Sequence, residues 1–387
     1  MSGIESQDES IKQNAEVPSI GIVSVYPEFS GVGTVASQYF SCLRDMEGLG
    51  HITFYQVIER QMRLYRNQDL TIWKGINMPF SALRVPLNRV ILLPIKLERV
   101  PENILILTDP TISFHRRSRK FKIVIVHDLR PLTDFEKRLG EKLYFKFILK
   151  RLRHCNIIIS DSIKTKSELL NMGLDEKVQS VIYPFSMLEN DPGHIDRSVE
   201  RIRKSSMNLT YIANDIPYKN IAFFLRLSKA LEMKFEGIDL KFNLVTGNLR
   251  RESIRLIRTL NIKNLNHYSN LSDDEYVEIY KNTDVLLFPS LYEGFGLPMV
   301  EAMSQGIPIV ANDIDITNEI IGDKKLLCGV NNLDEWISMV ESLMKPENYS
   351  RLAHESFERG KLFSKSRFKE GLTVLMSEVI RKFNGQS

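Results

Sequence analysis

Cysteine is scarce in this sequence, with three residues in 387, which stand far apart at Cys42, Cys155 and Cys328. An odd number without paired spacing argues against a disulfide framework and a thiolate metal site. Long apolar runs are also missing: a run such as Val90 to Ile95 is broken by proline, whereas a membrane-spanning helix needs about 20 apolar residues. The sequence therefore predicts a protein of the reducing cytoplasm without a transmembrane helix.

The start of the chain lacks the basic residues and apolar core of a secretory signal, since residues 1–17 are polar and acidic. We expect a disordered leader there. The net charge of +4 is concentrated in His115 to Lys122 and Lys137 to Arg153. Without an aromatic RNA-binding signature or zinc-finger spacing, this charge alone supports only weakly the alternative of a nucleic-acid-binding protein. Nucleic acid is not an expected partner.

Apolar runs alternate with helix-length stretches along most of the chain, which predicts parallel sheets covered by helices. A length of 387 residues exceeds what one hydrophobic core usually supports, so two domains are expected. The alternation is interrupted between Ser186 and Ser206, where residues 189–193 read Glu-Asn-Asp-Pro-Gly. The apolar runs are residues 20–26, 52–57, 90–93, 104–107, 123–126, 156–160, 209–213, 240–246, 285–289 and 307–311.

The most informative stretch runs from Asp284 to Gly322 and reads DVLLFPSLYEGFGLPMVEAMSQGIPIVANDIDITNEIIG. A strand at Val285 to Phe288 leads into a Glu-Gly-Phe-Gly loop, and the following proline predicts a helix that begins near Pro298. Glycines let backbone N–H groups approach a ligand, and a helix N-terminus presents unpaired donors with partial positive charge. The loop therefore favours an anionic or hydroxyl-rich ligand.

Two glutamates flank this loop, Glu293 at its entrance and Glu301 in the helix that follows. Ionised carboxylates only accept hydrogen bonds, and these bonds are stronger than neutral ones, so the pair suits the hydroxyls of a sugar and a ribose. Each glutamate alone also has a plainer interpretation. Glu301 would be a favourable acid near a helix N-terminus, and Glu293 a solvated loop residue.

Together these residues resemble the signature of glycosyltransferase family 4, whose members are retaining enzymes of the GT-B fold. That signature has two glutamates around a Gly-Phe-Gly loop after a Pro-Ser strand end. The resemblance implies that Glu293 contacts the donor sugar near the reacting carbon and that Glu301 holds the nucleotide ribose. The loop amides facing sugar and phosphates would be those of Gly294, Phe295, Gly296 and Leu297. The match continues through Ala302, residues 306–308 and Glu319.

The segment from Tyr211 to Asn220 resembles the first strand and loop of the family's nucleotide domain. An arginine and a lysine there normally neutralise the donor pyrophosphate. Lys219 matches the lysine, whereas Asn214 stands in place of the arginine. The pair Arg250-Arg251, after a loop at Gly247, is a candidate substitute, although a surface arginine is usually only a solvated charge.

Two matches lie in the first half. The strand from Ile123 to Val126 runs into His127, Asp128 and Leu129, which resembles the HD motif of the mannosyltransferase-like branch and implies that His127 reaches toward the donor sugar. Gly31 and Gly33 lie where the family has a Gly-rich loop near donor phosphate and acceptor. A histidine at a strand end is, by itself, more often a hydrogen-bonded structural residue.

The resemblance implies an α/β protein of the GT-B fold, with two Rossmann-like domains whose parallel sheets face each other across a cleft. The expected divisions are a disordered leader at 1–17, an N-terminal acceptor domain at 18–188, a linker at 189–205, a C-terminal nucleotide-sugar-binding domain at 206–365, and a C-terminal helix at 366–387 that crosses back to the N-terminal domain.

No cofactor or metal is expected beyond the donor itself. Asp313 and Asp315 match the Asp-x-Asp pattern with which another glycosyltransferase fold holds a divalent cation. Two aspartates without further oxygen ligands make a poor magnesium or manganese site, so this stretch is interpreted as a loop. The stretch from Glu136 to His154 has a helical period and many cations. It is either an ordinary domain helix with a basic outer face or a contact with an anionic membrane.

The expected function is transfer of a hexose, with retention, from GDP-mannose or UDP-glucose to an acceptor hydroxyl on a lipid-linked or polysaccharide glycan. His127, Glu293 and Lys219 are the candidate catalytic residues. The alternatives are a noncatalytic nucleotide-sugar-binding subunit, favoured by the missing arginine, and an epimerase or phosphorylase of the same fold. The expected location is the cytoplasm or the cytoplasmic face of a membrane.

Overall fold

The computed structural model describes residues 17–27, 30–58, 73–77, 88–112, 118–133, 139–191, 193–322 and 324–385. The expected leader lies outside these ranges except for Val17, which is exposed. The described residues form two parallel β-sheets, one in each half of the chain.

The N-terminal sheet has seven strands: β1 Ile20–Ser24, β2 Ile52–Ile58, β3 Trp73–Asn77, β4 Ile104–Leu107, β5 Phe121–Val126, β6 Ile157–Ser160 and β7 Val178–Val181. Their spatial order is β3-β2-β1-β4-β5-β6-β7, and all pairs are parallel. Every residue of β1, β4, β5 and β6 is buried, because helices cover both faces of a parallel sheet. This explains their near-continuous apolar sequences.

The described helices of this half are α1 Gly31–Arg44, α2 Leu93–Leu97, α3 Leu139–Leu152 and α4 Ile163–Leu170. The apolar run at 90–93, which the alternation suggested as part of the strand series, lies in a helical segment that begins at Asn88 as a π-helix and continues into α2. A short apolar run does not distinguish a strand from a buried helical turn. Pro94 fits the first turn of α2, where no backbone donor is needed.

The C-terminal sheet has six strands: β8 Ser206–Ile212, β9 Asp239–Val245, β10 Leu265–Tyr268, β11 Val285–Phe288, β12 Ile309–Asn312 and β13 Leu327–Cys328. Their order is β10-β9-β8-β11-β12-β13, again parallel throughout. The described helices of this half are α5 His194–Arg203, α6 Ile221–Lys234, α7 Arg251–Leu260, α8 Asp273–Lys281, α9 Leu297–Ser304, α10 Asp315–Ile321, α11 Leu333–Leu343, α12 Pro346–Gly360 and α13 Lys365–Asn384.

Helix α5 occupies much of the segment expected to be the linker. Its charged residues led to that expectation, but the helix buries His194, Ser198 and Ile202 on one side. The Nη2 atom of Arg201 lies 2.6 Å from a carboxylate oxygen of the fully buried Asp284, which precedes β11. This ion pair attaches α5 to the C-terminal half.

Helix α13 packs against the N-terminal half. Its residues Phe368, Leu372, Leu375, Met376 and Val379 are buried in the same apolar cluster as the side chains of β1, β4 and β5. The chain therefore returns to its first half after the second sheet, and α13 contributes to the core of the N-terminal half.

Candidate active site

Loops from the carboxyl ends of the two sheets contact each other. The amide of Leu129, just after β5, donates a 3.1 Å hydrogen bond to the hydroxyl oxygen of Tyr292, just after β11. Gly294 packs so closely on the backbone of His127 that a Cβ atom would overlap the His127 carbonyl oxygen. Ligands of open parallel sheets bind at such strand ends. This edge therefore contains the candidate site.

Lys219 and Glu293 form an ion pair at the centre of this edge. The Lys219 Nζ atom lies 2.5 Å and 2.6 Å from the two carboxylate oxygens of Glu293, and the two side chains are 19% and 8% exposed. An ammonium group has three N–H donors, of which the carboxylate takes two. Among the described residues, no other acceptor bonds this ammonium, so its third donor is left for a ligand that enters the partly open side of the pair.

The loops that carry this pair are tied to one another. The Tyr211 hydroxyl donates to the carbonyl oxygen of Lys219 and lies 3.1 Å from the hydroxyl of Ser290. The amide of Leu291 donates to the carbonyl of Tyr218 at 2.7 Å. Lys219 ends a single 3₁₀ turn, and Asn220 adopts a left-handed conformation that redirects the chain into α6. The ammonium therefore starts from a fixed backbone position.

The glycine loop leads directly into the N-terminus of α9, which begins at Leu297, one residue before the expected Pro298. Gly296 has a φ of +98°, a conformation that favours glycine. Among the described residues, no acceptor bonds the amides of Gly294, Phe295, Gly296 and Leu297. Four backbone donors at a helix N-terminus form a site for phosphate or sugar oxygens.

Glu301 lies in α9 and is 8% exposed. Its Oε2 atom accepts hydrogen bonds from the hydroxyls of Tyr276, at 2.9 Å, and Tyr280, at 2.6 Å. Burial raises the pKa of this carboxyl, although the two tyrosine hydrogen bonds oppose the increase. Within the described ranges, no donor bonds its Oε1 atom. One oxygen of Glu301 is thus fixed by tyrosines, and the other is left for a ligand hydroxyl.

His127 is held by protein on both sides of its ring. Nδ1 contacts a carboxylate oxygen of Asp161, after β6, and Nε2 lies 2.9 Å from the carbonyl oxygen of Thr108, after β4. Burial alone would lower the pKa of His127, but the charge and hydrogen bond of Asp161 and the Thr108 carbonyl outweigh burial and raise it to about 9. Both ring nitrogens of the protonated imidazole donate to protein acceptors, so the structure brings no free ring nitrogen of His127 to the site.

Gly31 and Gly33 form the first turn of α1, whose N-cap Ser30 accepts a 3.1 Å hydrogen bond from the amide of Gly33. A Cβ atom on Gly31 would lie 3.8 Å from the Leu297 side chain at the start of α9. The N-termini of α1 and α9 therefore meet across the two halves. This brings the expected Gly-rich segment of the first half to the glycine loop of the second.

Comparison with known proteins shows a similarity to one family. Residues 194–359 match the family described as glycosyl transferases group 1. This part of the chain is therefore similar to group 1 glycosyl transferases. The O-antigen chain mannosyltransferase RfbU of Salmonella typhimurium is 25% identical over 234 residues, 59% of this chain and 62% of RfbU. The serotype-specific mannosyltransferase WbdA of Escherichia coli is 27% identical over 245 residues, 59% of this chain and 30% of WbdA. The chain thus spans less than two thirds of either relative.

Solved structures show the fold of the whole chain. HepE of Anabaena, crystallised with UDP and glucose, superposes with a TM-score of 0.74 at 13% identity, covering 93% of this chain and all of HepE. A sucrose-phosphate synthase from Thermosynechococcus elongatus gives 0.71 at 13% identity, over 96% of this chain and all of that one. The fold is therefore GT-B, as the sequence predicted.

In the C-terminal half, Asn214 is exposed at the strand edge where an arginine was expected. Its neighbour Asp215, with a fully buried side chain, accepts hydrogen bonds from the Arg250 backbone amide, at 2.7 Å, and from Arg250 Nε, at 3.0 Å. The Arg250 side chain is 43% exposed. Gly247 is exposed in the same loop, with no atom within 4 Å of a Cβ position. Asp215 thus anchors Arg250 beside the loop that lacks the arginine.

Several residues that position the site were missed by sequence reasoning. They are Thr108, Asp161, Tyr276, Tyr280, Asp215 and Tyr292. Asp161 follows an apolar strand directly, as His127 does, and that position was a usable signal. Tyr276 and Tyr280 lie on α8, separated from Glu301 by more than twenty residues, and no local pattern links them to it.

The expected absence of a metal stays a prediction. Among the described residues, no cluster of three His, Cys, Asp or Glu side chains could hold a metal ion. An Asp313 oxygen accepts a hydrogen bond at 2.5 Å from Asn318, and Asp315 opens α10 rather than lying in a loop. Within the residues that the structure describes, no helix is long and apolar enough to cross a bilayer.

Proposed function

We propose that the protein transfers a hexose from a nucleoside-diphosphate sugar to an acceptor hydroxyl, with retention of configuration. The observation that carries this proposal is the convergence of the Lys219–Glu293 pair with four unbonded amides at the N-terminus of α9. One side supplies a cation and the other supplies oriented dipoles, which together suit a diphosphate. The resemblance to a family of retaining enzymes supports retention of configuration at the anomeric carbon.

In the proposed reaction the bond between the anomeric carbon and the diphosphate oxygen breaks, and negative charge develops on the leaving group. The acceptor hydroxyl oxygen bonds to the anomeric carbon, and its proton passes to the departing diphosphate. The third N–H of Lys219 and the amides of residues 294–297 would stabilise that charge. Preorganised donors of this kind contribute about 3–4 kcal/mol each when they are removed singly. Glu293 would hold the ammonium in place and face the sugar, and the free oxygen of Glu301 would accept a ribose hydroxyl.

His127 has a different role in this proposal from the one expected from sequence. With both ring nitrogens bonded to Asp161 and Thr108, it fixes three strand ends of the first sheet. Its carbonyl oxygen lies against Gly294. We assign it as a positioning residue for the glycine loop.

Mannose is the sugar we propose first, because RfbU and WbdA are named mannosyltransferases. GDP-mannose is then the donor, with UDP-glucose the next candidate because HepE was crystallised with UDP and glucose. The names of RfbU and WbdA also favour a glycan acceptor.

A panel of nucleotide sugars tests the proposal. Purified protein is incubated with each donor and candidate glycan acceptors, and release of nucleoside diphosphate is measured for the wild type, Glu293→Ala and Glu301→Ala. Glu355→Ala, an exposed residue of α12, is the matched control. Release from one donor that both site variants lose and the control keeps would support the proposal. Release from no donor would contradict it.

One observation favours a second candidate, a noncatalytic nucleotide-sugar-binding subunit. Asn214 supplies no charge where the family has an arginine, and the charge of Arg250 is offset by Asp215. Calorimetry with the same nucleotide sugars tests this candidate. Binding of a nucleotide sugar without turnover on any acceptor would establish it.

We also propose that α3 contacts an anionic membrane surface. Leu139, Leu143 and Phe147 are 69%, 58% and 47% exposed and recur every four residues, so they lie along one side of the helix. Lys142 and Lys146 accompany this stripe, and amphipathic helices of this kind bind lipid interfaces.

Flotation with phosphatidylglycerol vesicles at low salt should recover the wild type and lose Leu143→Ser/Phe147→Ser. A control change, Val374→Ser, removes an equally exposed apolar residue of α13 and should float normally. Equal flotation of all three proteins, or none of the wild type, would refute the contact.

A further inference from the structure

One face of the C-terminal sheet carries polar side chains where a covered parallel sheet is normally apolar. Asn208 of β8 pairs with Lys241 of β9, and Asn243 of β9 pairs with Asn266 of β10. Since alternate residues of a strand point to the same face, these four side chains share one face. The intervening residues, such as Leu209 and Phe242, are buried on the other face.

These polar side chains line an open cavity of about 350 Å³, closed on its other side by α8. This volume is at the lower end of the range for small-ligand sites, roughly 300–1,000 Å³. Apolar surface is contributed by Tyr268, Leu271 and Ile279. The cavity thus combines several amide groups with a small apolar patch.

Asn208 lines this cavity, and its buried amide oxygen has no partner among the described residues. Asn208 is 9% exposed, and its Nδ2 donates a 2.7 Å hydrogen bond to the carbonyl of Asn282. That bond fixes which side of the amide is nitrogen, because the reverse orientation would place two oxygens together. Its Oδ1 accepts no hydrogen bond from the described residues. This oxygen has almost no accessible surface, so a ligand donor would reach it only after the side chains that cover it shift.

The neighbouring amides are already ordered. Asn266 Nδ2 donates to Asn243 Oδ1 at 3.1 Å, and Asn243 Nδ2 donates to Thr210 at 3.3 Å. This chain of bonds holds the side chains in place before a ligand arrives, so less conformational freedom is lost on binding.

Charge decides between ligand classes. Two glutamates of α8, Glu275 and Glu278, line the cavity with a single cation, Lys241. Two carboxylates beside one ammonium disfavour a phosphate-bearing ligand, such as a nucleotide, through like-charge repulsion. A neutral molecule with many hydroxyl groups and an apolar ring face fits both the amides and the apolar patch. We propose that this cavity is a second carbohydrate site, which binds a neutral sugar unit of a glycan.

The proposed site is separate from the donor site. Asn208 lies four residues before the end of β8, which is about 13 Å at 3.3 Å per residue, and the donor loops begin beyond that end. A sugar unit bound there would belong to a glycan chain that extends over the C-terminal half, so the cavity would retain a growing glycan near the enzyme. This inference does not require turnover, and its test can succeed or fail independently of the proposed reaction.

Saturation-transfer difference NMR on the full chain is the experiment. The probes are methyl α-mannoside and a linear mannotriose, each at millimolar concentration, with saturating GDP and UDP present to occupy the donor site. The variants are Asn266→Ala, an exposed cavity residue, and Asn208→Ala, which removes the unpartnered acceptor. Arg258→Ala, an exposed residue of α7, is the control, and Glu293→Ala separates the cavity from the donor site. Asn266→Ala keeps the test decisive if Asn208→Ala fails to fold.

We expect glycoside binding by the wild type, Arg258→Ala and Glu293→Ala. Binding should be weaker by about fivefold in Asn266→Ala, since one hydrogen bond contributes about 0.5–1.5 kcal/mol. Three results would overturn the proposal: no signal for the wild type, equal signals for the wild type and the cavity variants, or loss of the signal in Glu293→Ala.

Discussion

His127 and Lys219 occupy comparable places in the two halves of the molecule. Each follows a buried strand at the carboxyl edge of its sheet, and each is paired with a carboxylate. They differ in what remains unused: both ring N–H groups of His127 donate to protein, whereas the Lys219 ammonium keeps one donor beyond Glu293. The comparison teaches that an ion pair at a strand end indicates a ligand site only when it retains hydrogen-bonding capacity.

The largest effect should come from the Lys219–Glu293 pair. Lys219→Met should lower turnover by about 10²–10³-fold, because a preorganised donor to the leaving group is lost. Lys229→Met is the matched control, since Lys229 forms an ion pair with Glu232 in the same half, away from the strand ends. The measurement is kcat with the best donor.

Removing one partner of a buried pair can also destabilise the fold by about 3–5 kcal/mol. The double variant Lys219→Met/Glu293→Gln removes both charges and should melt closer to the wild type while staying inactive. Turnover in this double variant comparable with that of the wild type would place the catalytic charge elsewhere.

The next effect concerns the contact between the two regions. Gly294→Ala would place a Cβ against the His127 carbonyl oxygen and 2.8 Å from Asp128 Cβ, so the glycine loop must move. A displacement of about 1 Å at a catalytic centre lowers rates by about 10²-fold. The control is Gly140→Ala, where no atom lies within 4 Å of the new methyl group. Unchanged turnover in Gly294→Ala would show that the loop does not need its present position.

The contribution of His127 should be visible in the pH dependence of the free energy of unfolding rather than in the reaction itself. Its pKa is raised from about 6.5 in the unfolded chain to about 9 in the folded protein, so the folded state binds more protons between these values. The stabilisation is complete below about pH 6.5 and disappears as pH rises through about 9, with a loss on the order of 2–3 kcal/mol.

Urea unfolding at pH 6 and pH 9.5 measures this loss of stability. It should vanish in His127→Asn and persist in the control His51→Asn, since His51 is exposed. A pH dependence that survives in His127→Asn would refute this assignment.

The smallest effect should come from Glu319, which connects the two halves without touching the proposed donor site. Its carboxylate accepts hydrogen bonds from the amides of Ile163, at 2.6 Å, and Lys164, at 2.9 Å, at the start of α4. Glu319→Ala should reduce the free energy of unfolding by about 1 kcal/mol, as loss of a helix cap does. Thermal melting against the control Glu347→Ala checks this, and a melting temperature equal to that of the control would contradict it.

Much of the fold was predictable, because burial on both faces of parallel strands leaves continuous apolar runs. The GT-B fold followed from that alternation and from the resemblance around the glycine loop. Strands β3 and β7 in the first half, and β10 and β13 in the second, were missed. β10 reads Leu-Asn-His-Tyr and lies at an edge with a polar face, so burial left no apolar pattern there. α5 was taken for a linker because only three of its ten residues are buried.

The sequence predicts the residues of the candidate site but not the partners that hold them. The glycine loop and its two glutamates lie close together in the sequence, so their motif can be recognised without the structure. The bonds from Glu301 to Tyr276 and Tyr280, and from His127 to Asp161, join residues brought together only by the fold. The contacts of both His127 ring nitrogens with protein acceptors are likewise not revealed by any spacing in the sequence.

In the proposed reaction, Lys219 and the glycine-loop amides form a diphosphate site. Isothermal titration of the wild type and Lys219→Met with GDP, UDP and the corresponding nucleosides tests it directly. We expect Lys219→Met to bind the preferred diphosphate about tenfold or more weakly, since a bond between charged groups contributes about 1.5–3 kcal/mol. Its affinity for the corresponding nucleoside should be unchanged. Equal diphosphate affinity in the two proteins would contradict it.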